Sequence, residues 1–174
     1  TLDLRLRFEE VDVDNLSQDE ARALTLRTRL NYSTARYQGL GATLEMDNIT
    51  EIDGDNYATS PALKNSGNFL GKAIIADPEG TEVNQAYISY KYGETEGKYG
   101  RQRINLDNQR FIGGVGFRQN EQTYDALSIA HNCTDLNTSV YYAHINNVNR
   151  IFGEDDPALS DTESSTEILN INYS

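Results

Sequence analysis

The first nine residues constrain the fold more than any other stretch. In Thr1-Leu2-Asp3-Leu4-Arg5-Leu6-Arg7-Phe8-Glu9, leucine or phenylalanine occupies every even position, and a charged residue follows each one. Side chains of an extended strand point alternately to its two faces, so this segment has one wholly apolar and one wholly charged face. A helix would scatter both sets around its axis. The pattern repeats. Leu24, Leu26, Leu30 and Tyr32 oppose Thr25, Arg27, Arg29 and Asn31; Leu40, Ala42, Leu44 and Met46 oppose Gly39, Gly41, Thr43 and Glu45. A fourth strand is expected over about 83–92, with Ala86, Ile88, Tyr90 and Tyr92 opposite Gln85, Tyr87, Ser89 and Lys91. A fifth covers about 98–106, with Arg101 and Arg103 on one face. A sixth covers about 123–131 with Leu127 and Ile129, and a seventh begins at Leu136 and continues through Thr138, Val140 and Tyr142. An eighth starts near Glu167, with Leu169, Ile171 and Tyr173 outward and Asn170 and Asn172 inward.

The connections between these segments are alternately long and short: about 11–22, 33–36, 48–82, 93–97, 107–122, 132–135 and 147–166. Outer-membrane barrels have this alternation, with long loops at one end and short turns at the other. Keeping the alternation places Arg110–Phe117 in a loop. Pro61, Pro78 and Pro157 all fall in long connections, where they remove no ladder hydrogen bond. Tyr32, Tyr37, Tyr92 and Tyr99 flank the short turns, the expected place of an aromatic girdle at a membrane interface. The reading is an all-β, antiparallel transmembrane β-barrel. The eight strands, about half the chain being loop, are read as the N-terminal part (1–174) of a single larger barrel domain.

Composition agrees with that reading. Only 37% of the 174 residues are hydrophobic, and mean hydropathy is −0.64, low for a globular core. Disordered chains of such polarity are poor in aromatics, whereas this one has 11 tyrosines. A barrel reconciles the two, because its lipid face is apolar and its lumen and loops are polar. No run of 18 apolar residues suggests a membrane helix. A net charge of −12 argues against nucleic acid as a partner. The one cysteine, Cys133, excludes an internal disulfide and a cysteine-based metal site. A start at Thr1, already in a strand pattern, is read as a mature chain whose signal peptide has been removed.

Several runs resemble a known family. They are Gly100-Arg101-Gln102-Arg103-Ile104, Asn108-Gln109-Arg110-Phe111-Ile112-Gly113, and Phe117-Arg118-Gln119-Asn120-Glu121-Gln122-Thr123-Tyr124-Asp125-Ala126. Asn149-Arg150-Ile151-Phe152-Gly153 and the segment from Asp77-Pro78-Glu79 to Gln85-Ala86-Tyr87 add to them. Together they look like the alginate-export-type family of outer-membrane porins. The resemblance implies an eighteen-stranded barrel, of which this chain is the N-terminal half, in the outer membrane of a Gram-negative cell. It implies a basic lumen passing anionic polymers or small anionic solutes, but not alginate itself.

The main candidate site is a stripe of arginine in an acidic chain. Arg5, Arg7, Arg27, Arg29, Arg101 and Arg103 all fall on expected lumen faces. Charge is tolerated in a wet lumen, whereas lipid-facing arginine costs about 2–4 kcal/mol at the midplane. Ladders of arginine favour anions in a pore. The same arginines could instead pair with Asp3, Glu9, Glu45 and their neighbours across strands. The second candidate is the 107–122 connection, with Arg110, Arg118, Glu121 and glycines 113, 114 and 116. It either folds inward as a constriction or stands outside as an ordinary loop. Asp53-Gly54-Asp55-Asn56 and Glu154-Asp155-Asp156 have carboxylates for a hard cation or for bridging to lipopolysaccharide, yet match no full calcium-loop pattern and read first as exposed acidic turns. His131 and His144 lie in expected strands without a metal partner or nucleophile, and no phosphate loop is present, so neither enzyme nor cofactor is expected.

Three functions fit alternating strands. One is a porin passing anionic solutes or polysaccharide. Another is a soluble all-β polysaccharide-binding module, with its apolar faces packed in a dry core. The third is a structural or adhesive outer-membrane protein. The loop alternation and the resemblance favour the channel. Its expected partners are outer-membrane lipid, lipopolysaccharide and an anionic solute; the oligomeric state is not legible.

Overall fold

The computed structural model describes residues 1–12, 20–53, 57–63 and 71–173. Among them are eight strands and no α-helix. The strands are β1 (Leu2–Val11), β2 (Ala21–Ser33), β3 (Leu40–Asp53), β4 (Gly80–Tyr92), β5 (Thr95–Gln102), β6 (Thr123–Cys133), β7 (Thr138–Asn149) and β8 (Asp161–Tyr173). Each pairs antiparallel with its neighbours in chain order, giving one eight-stranded meander. The sheet is not closed: β1 and β8 each have one strand neighbour.

Strand number and connectivity match the sequence reading, and long and short connections alternate as expected. Several boundaries differ. β2 begins at Ala21 and β3 runs on to Asp53, past the expected end near residue 47. β4 starts at Gly80 and β8 at Asp161, both earlier than expected. The missed ends are polar and carry bulges, which break the alternation that sequence reading relies on. Register slips occur at Glu45/Met46, where Asn84 is the extra residue, and at Asp125/Ala126 and Ile145/Asn147. β5 stops at Gln102 instead of 106, and Leu136 lies in a 3-10 turn (Thr134–Leu136) before β7.

The two faces of the sheet differ sharply. On one, Leu2, Leu4, Leu6 and Phe8 are each 62–64% exposed, and register places them beside Leu30, Thr28, Leu26 and Leu24. The bare apolar face continues through Leu44, Ile88, Tyr99, Leu127, Ile129, Leu169 and Ile171. Tyr32, Tyr37, Tyr92 and Tyr99, all more than 60% exposed, lie toward the short-turn end. No second sheet covers this face among the described residues. The opposite face is polar and covered by the long connections. Two small apolar clusters seat them. Tyr57, Ala73 and Ile75 pack on Ala21 and Ala23, while Ile104 packs on Tyr124, Ala126, Ala143 and Ile145.

Candidate functional site

The polar face carries an ionic network built where the strand alternation puts it. Cross-strand register sets Arg5 opposite Arg27 and Asp3 opposite Arg29, and on the next pair it sets Arg29 opposite Asp47. Arg29 grips Asp47 with two parallel bonds, Nε to Oδ1 at 2.7 Å and Nη2 to Oδ2 at 2.5 Å. Such planar, two-pronged pairing is the strongest geometry a guanidinium offers a carboxylate. Arg27 bonds Asp3 at 2.8 Å, and Arg7 bonds Glu9 at 2.5 Å and lies 3.4 Å from Asp77. Arg103, just past the end of β5, reaches Glu45 at 2.5 Å and also pairs with Glu121.

The 103–122 connection folds onto this face instead of standing away from it. Its backbone turns at Val115, whose φ of 51° is the left-handed region that β-branched residues avoid, and the Arg118 N–H closes the turn on the Val115 carbonyl at 3.1 Å. The turn aims three successive carbonyls at one guanidinium. Arg5 donates to Gly116 at 3.1 Å, Phe117 at 2.8 Å and Arg118 at 3.0 Å. Arg7 also donates to the Phe117 carbonyl and stacks 4.0 Å from that ring's centre. Gln119 is fully buried. Its amide Nε2 donates to Thr25 Oγ1 at 2.9 Å, and its backbone N–H donates to Asp77 at 2.7 Å. Glu121 lies 3.1 Å from Arg29 and 3.9 Å from Arg27. Burial pushes the Asp77 carboxyl above its ordinary value; the Gln119 amide and the Arg7 and Arg118 guanidiniums oppose that shift without cancelling it.

The expected site residues therefore divide. Arg5, Arg7, Arg27, Arg29 and Arg103 join one cluster, and Arg118 and Glu121 from the connection join it too. Arg101 does not. Gln102 turns its side chain to Ser128 on the polar face, so Arg101 is on the other side of β5, bonded to Asp125 at 3.0 Å, Glu154 at 3.3 Å and the Val83 carbonyl at 3.1 Å. Arg101 and Arg103 thus do not act as one pair: the strand ends between them. Arg110 is exposed beside Phe111, outside the network.

Six guanidinium groups (5, 7, 27, 29, 103 and 118) meet six carboxylates (3, 9, 45, 47, 77 and 121), so the cluster is balanced in charge. The stripe is not a free basic surface. Asp47 and Asp77 complete it, and neither was singled out from the sequence. Asp47 was legible, since extending the β3 alternation past Met46 puts it beside Glu45. Asp77 lies in a long connection with no periodicity to place it.

The remaining candidates resolve locally. Glu154 pairs with Arg101, and Asp156 is buried, not exposed, accepting the Ala158 and Leu159 amides at 3.0 and 2.7 Å. Burial pushes the Asp156 carboxyl up, but the Ser60 hydroxyl and those two amides outweigh it and hold it below its ordinary value. Of the Asp53–Asn56 run, residues 54–56 lie outside the described residues. His131 bonds Thr95 and His144 bonds Glu167. No group of three or more metal-ligating side chains occurs among the described residues. Cys133, half-buried, ends β6. Searches against protein-family models and against curated proteins find no match for this chain.

Proposed function

We propose that this chain forms part of the wall of an outer-membrane β-barrel channel, related to the alginate-export-type porins, that passes small anionic solutes or anionic polysaccharide. The observation that carries the reading is the contrast between the two faces. One is a bare apolar band with tyrosines toward its short-turn end; the other is a charged surface under an inward-folded connection. Soluble monomers rarely expose contiguous apolar patches above a few hundred Å². Lipid is the solvent that suits such a band, and water the one that suits the opposite face. The unpaired β1 and β8 edges are ready templates for further strands, which a complete barrel supplies.

In this reading the 103–122 connection narrows the channel, and its position is held by Arg5, Arg7 and Gln119. Balanced charge in the network gives solutes both signs to contact, so selectivity responds to removing either sign. The test is Arg27→Gln with Arg29→Gln in the full-length protein reconstituted in planar bilayers. Loss of two positive charges leaves Asp3, Asp47 and Glu121 undercompensated, so the reversal potential shifts toward cations. The shift shrinks at high salt as the screening length falls. Asp155→Asn, outside the network, changes selectivity far less. Unchanged selectivity with lowered thermal stability would make the arginines structural only, and a wild-type protein that never conducts would remove the channel reading.

A further inference from the structure

With the arginines matched by acids, two lysines carry positive charge on the polar face of β4 and β5: Lys91, exposed next to the short turn, and Lys98. Lys98 sits mid-β5 on that face, register-paired with Ser89 and Ser128. Among the described residues no carboxylate lies within ion-pairing distance of it; its ammonium instead lies 5.1 Å from the centre of the Tyr87 ring. Lys98 lines a cleft of about 180 Å³ together with the half-buried Tyr141 and with Arg103 and Asn105 at the start of the inward connection. Arg103 uses Nε and Nη2 on Glu121 and Glu45, and its Nη1 has no hydrogen-bond partner among the described residues. Glu96 also borders the cleft, but its carboxylate is engaged by Arg36.

We propose that this cleft is a binding subsite for a small carboxylate, with Lys98 as its charge partner. An ammonium with three rotatable donors suits a carboxylate, and a solute carboxylate would be the counter-charge that Lys98 lacks. Drug-sized ligands occupy pockets from about 300 Å³ upward, so the occupant is smaller: a simple organic acid or one acidic sugar unit. Tyr141 gives an apolar body with a polar tip, and Asn105 an amide, both suited to hydroxyls next to the acid. The subsite lies on the short-turn side of the constriction, so a solute would meet it on one side of the narrowing only. The inference deepens the channel reading and rests on it for the physiological role, but the binding itself is separable from conduction.

The experiment is calorimetric titration of the full-length protein in detergent micelles with glucuronate, acetate and glucose as probes, alongside bilayer conductance. Wild type binds glucuronate and acetate, and glucose at least tenfold more weakly. Glucuronate tighter than acetate identifies an acidic sugar as the better occupant, and equal affinity a simple acid. Lys98→Gln weakens glucuronate about tenfold, Lys98→Arg restores most of the affinity, and Arg22→Gln, an equal charge change at an exposed site on β2, leaves it unchanged. Native-like heat-modifiability of Lys98→Gln on gels guards against misfolding. Glucuronate binding without conductance would keep the subsite and remove the channel. Conductance with no glucuronate binding, or with binding untouched by Lys98→Gln, would overturn the subsite.

Discussion

At the residue scale, the backbone of Val115 and the carboxylate of Glu121 hold the inward connection to the sheet by different means. Val115 adopts a left-handed conformation that costs a non-glycine residue about 1–3 kcal/mol, and it does so in the turn that aims three carbonyls at Arg5. Glycine adopts that conformation freely but loses more entropy on folding, about 0.5–1 kcal/mol. Val115→Gly is therefore expected to be neutral or to stabilise by up to about 2 kcal/mol in urea unfolding from detergent micelles; a clear loss would mean that the side chain, 42% exposed, matters more than the turn. Glu121 contacts Arg27, Arg29 and Arg103 at once. Hydrogen bonds to charged groups contribute about 1.5–3 kcal/mol each, and a wet face puts this one toward the lower end. Glu121→Gln should cost about 2 kcal/mol and be strongly non-additive with Arg103→Gln in a double-mutant cycle, because the two share one interaction. Additive losses would show that the contact carries no energy. Neither feature was legible in the sequence. A glycine-rich run announces a turn but not the φ of its valine, and an acid in a loop announces no partner.

At the element scale, the strands were legible because one period governs them. Leu2 to Phe8 and Leu24 to Tyr32 alternate, and the structure keeps both faces as read. What was not legible is where a strand changes face or stops. β5 shows why. Gly97 and Gly100 dilute its alternation, and Gly100 takes a φ of 124° that only glycine tolerates. A side chain at Gly100 would run into the Ala86 carbonyl oxygen and lie 3.0 Å from the Tyr87 Cα. Gly100 thus permits close approach of β4 and β5, just before Arg101 and Gln102 take opposite sides of the sheet. Gly100→Ala is expected to loosen the β4–β5 pairing, giving faster amide exchange over Thr95–Gln102 while β1–β2 stays protected. Unaltered exchange in β5 would show that the strands relax around a methyl group. The separation of Arg101 from Arg103 has a related origin: residue counting assumes a strand that continues to 106, but β5 ends at Gln102, so Arg101 keeps the face of Tyr99 while Arg103 leaves the alternation and turns to the network.

At the scale of the whole molecule, one antiparallel sheet separates an apolar surface from an ionic one, and among the described residues the 57–79 and 103–122 connections fold over the ionic side. That asymmetry was readable from the first nine residues. The folding of 103–122 across the arginines, which converts an expected basic stripe into a charge-balanced network, required the structure, because loops carry no period from which contacts can be inferred. The central claim is that the bare face lies against lipid and the network faces water. Site-directed spin labelling of β1, in a Cys133→Ser background of the full-length protein reconstituted in vesicles, tests it most directly. Labels at positions 2, 4, 6 and 8 should be relaxed by oxygen, which partitions into lipid, and labels at 3, 5, 7 and 9 by a water-soluble nickel chelate, giving two period-two profiles out of phase. Labels at 2, 4, 6 and 8 that respond to the nickel chelate, or to neither relaxant because they are packed in a dry interior, would contradict it.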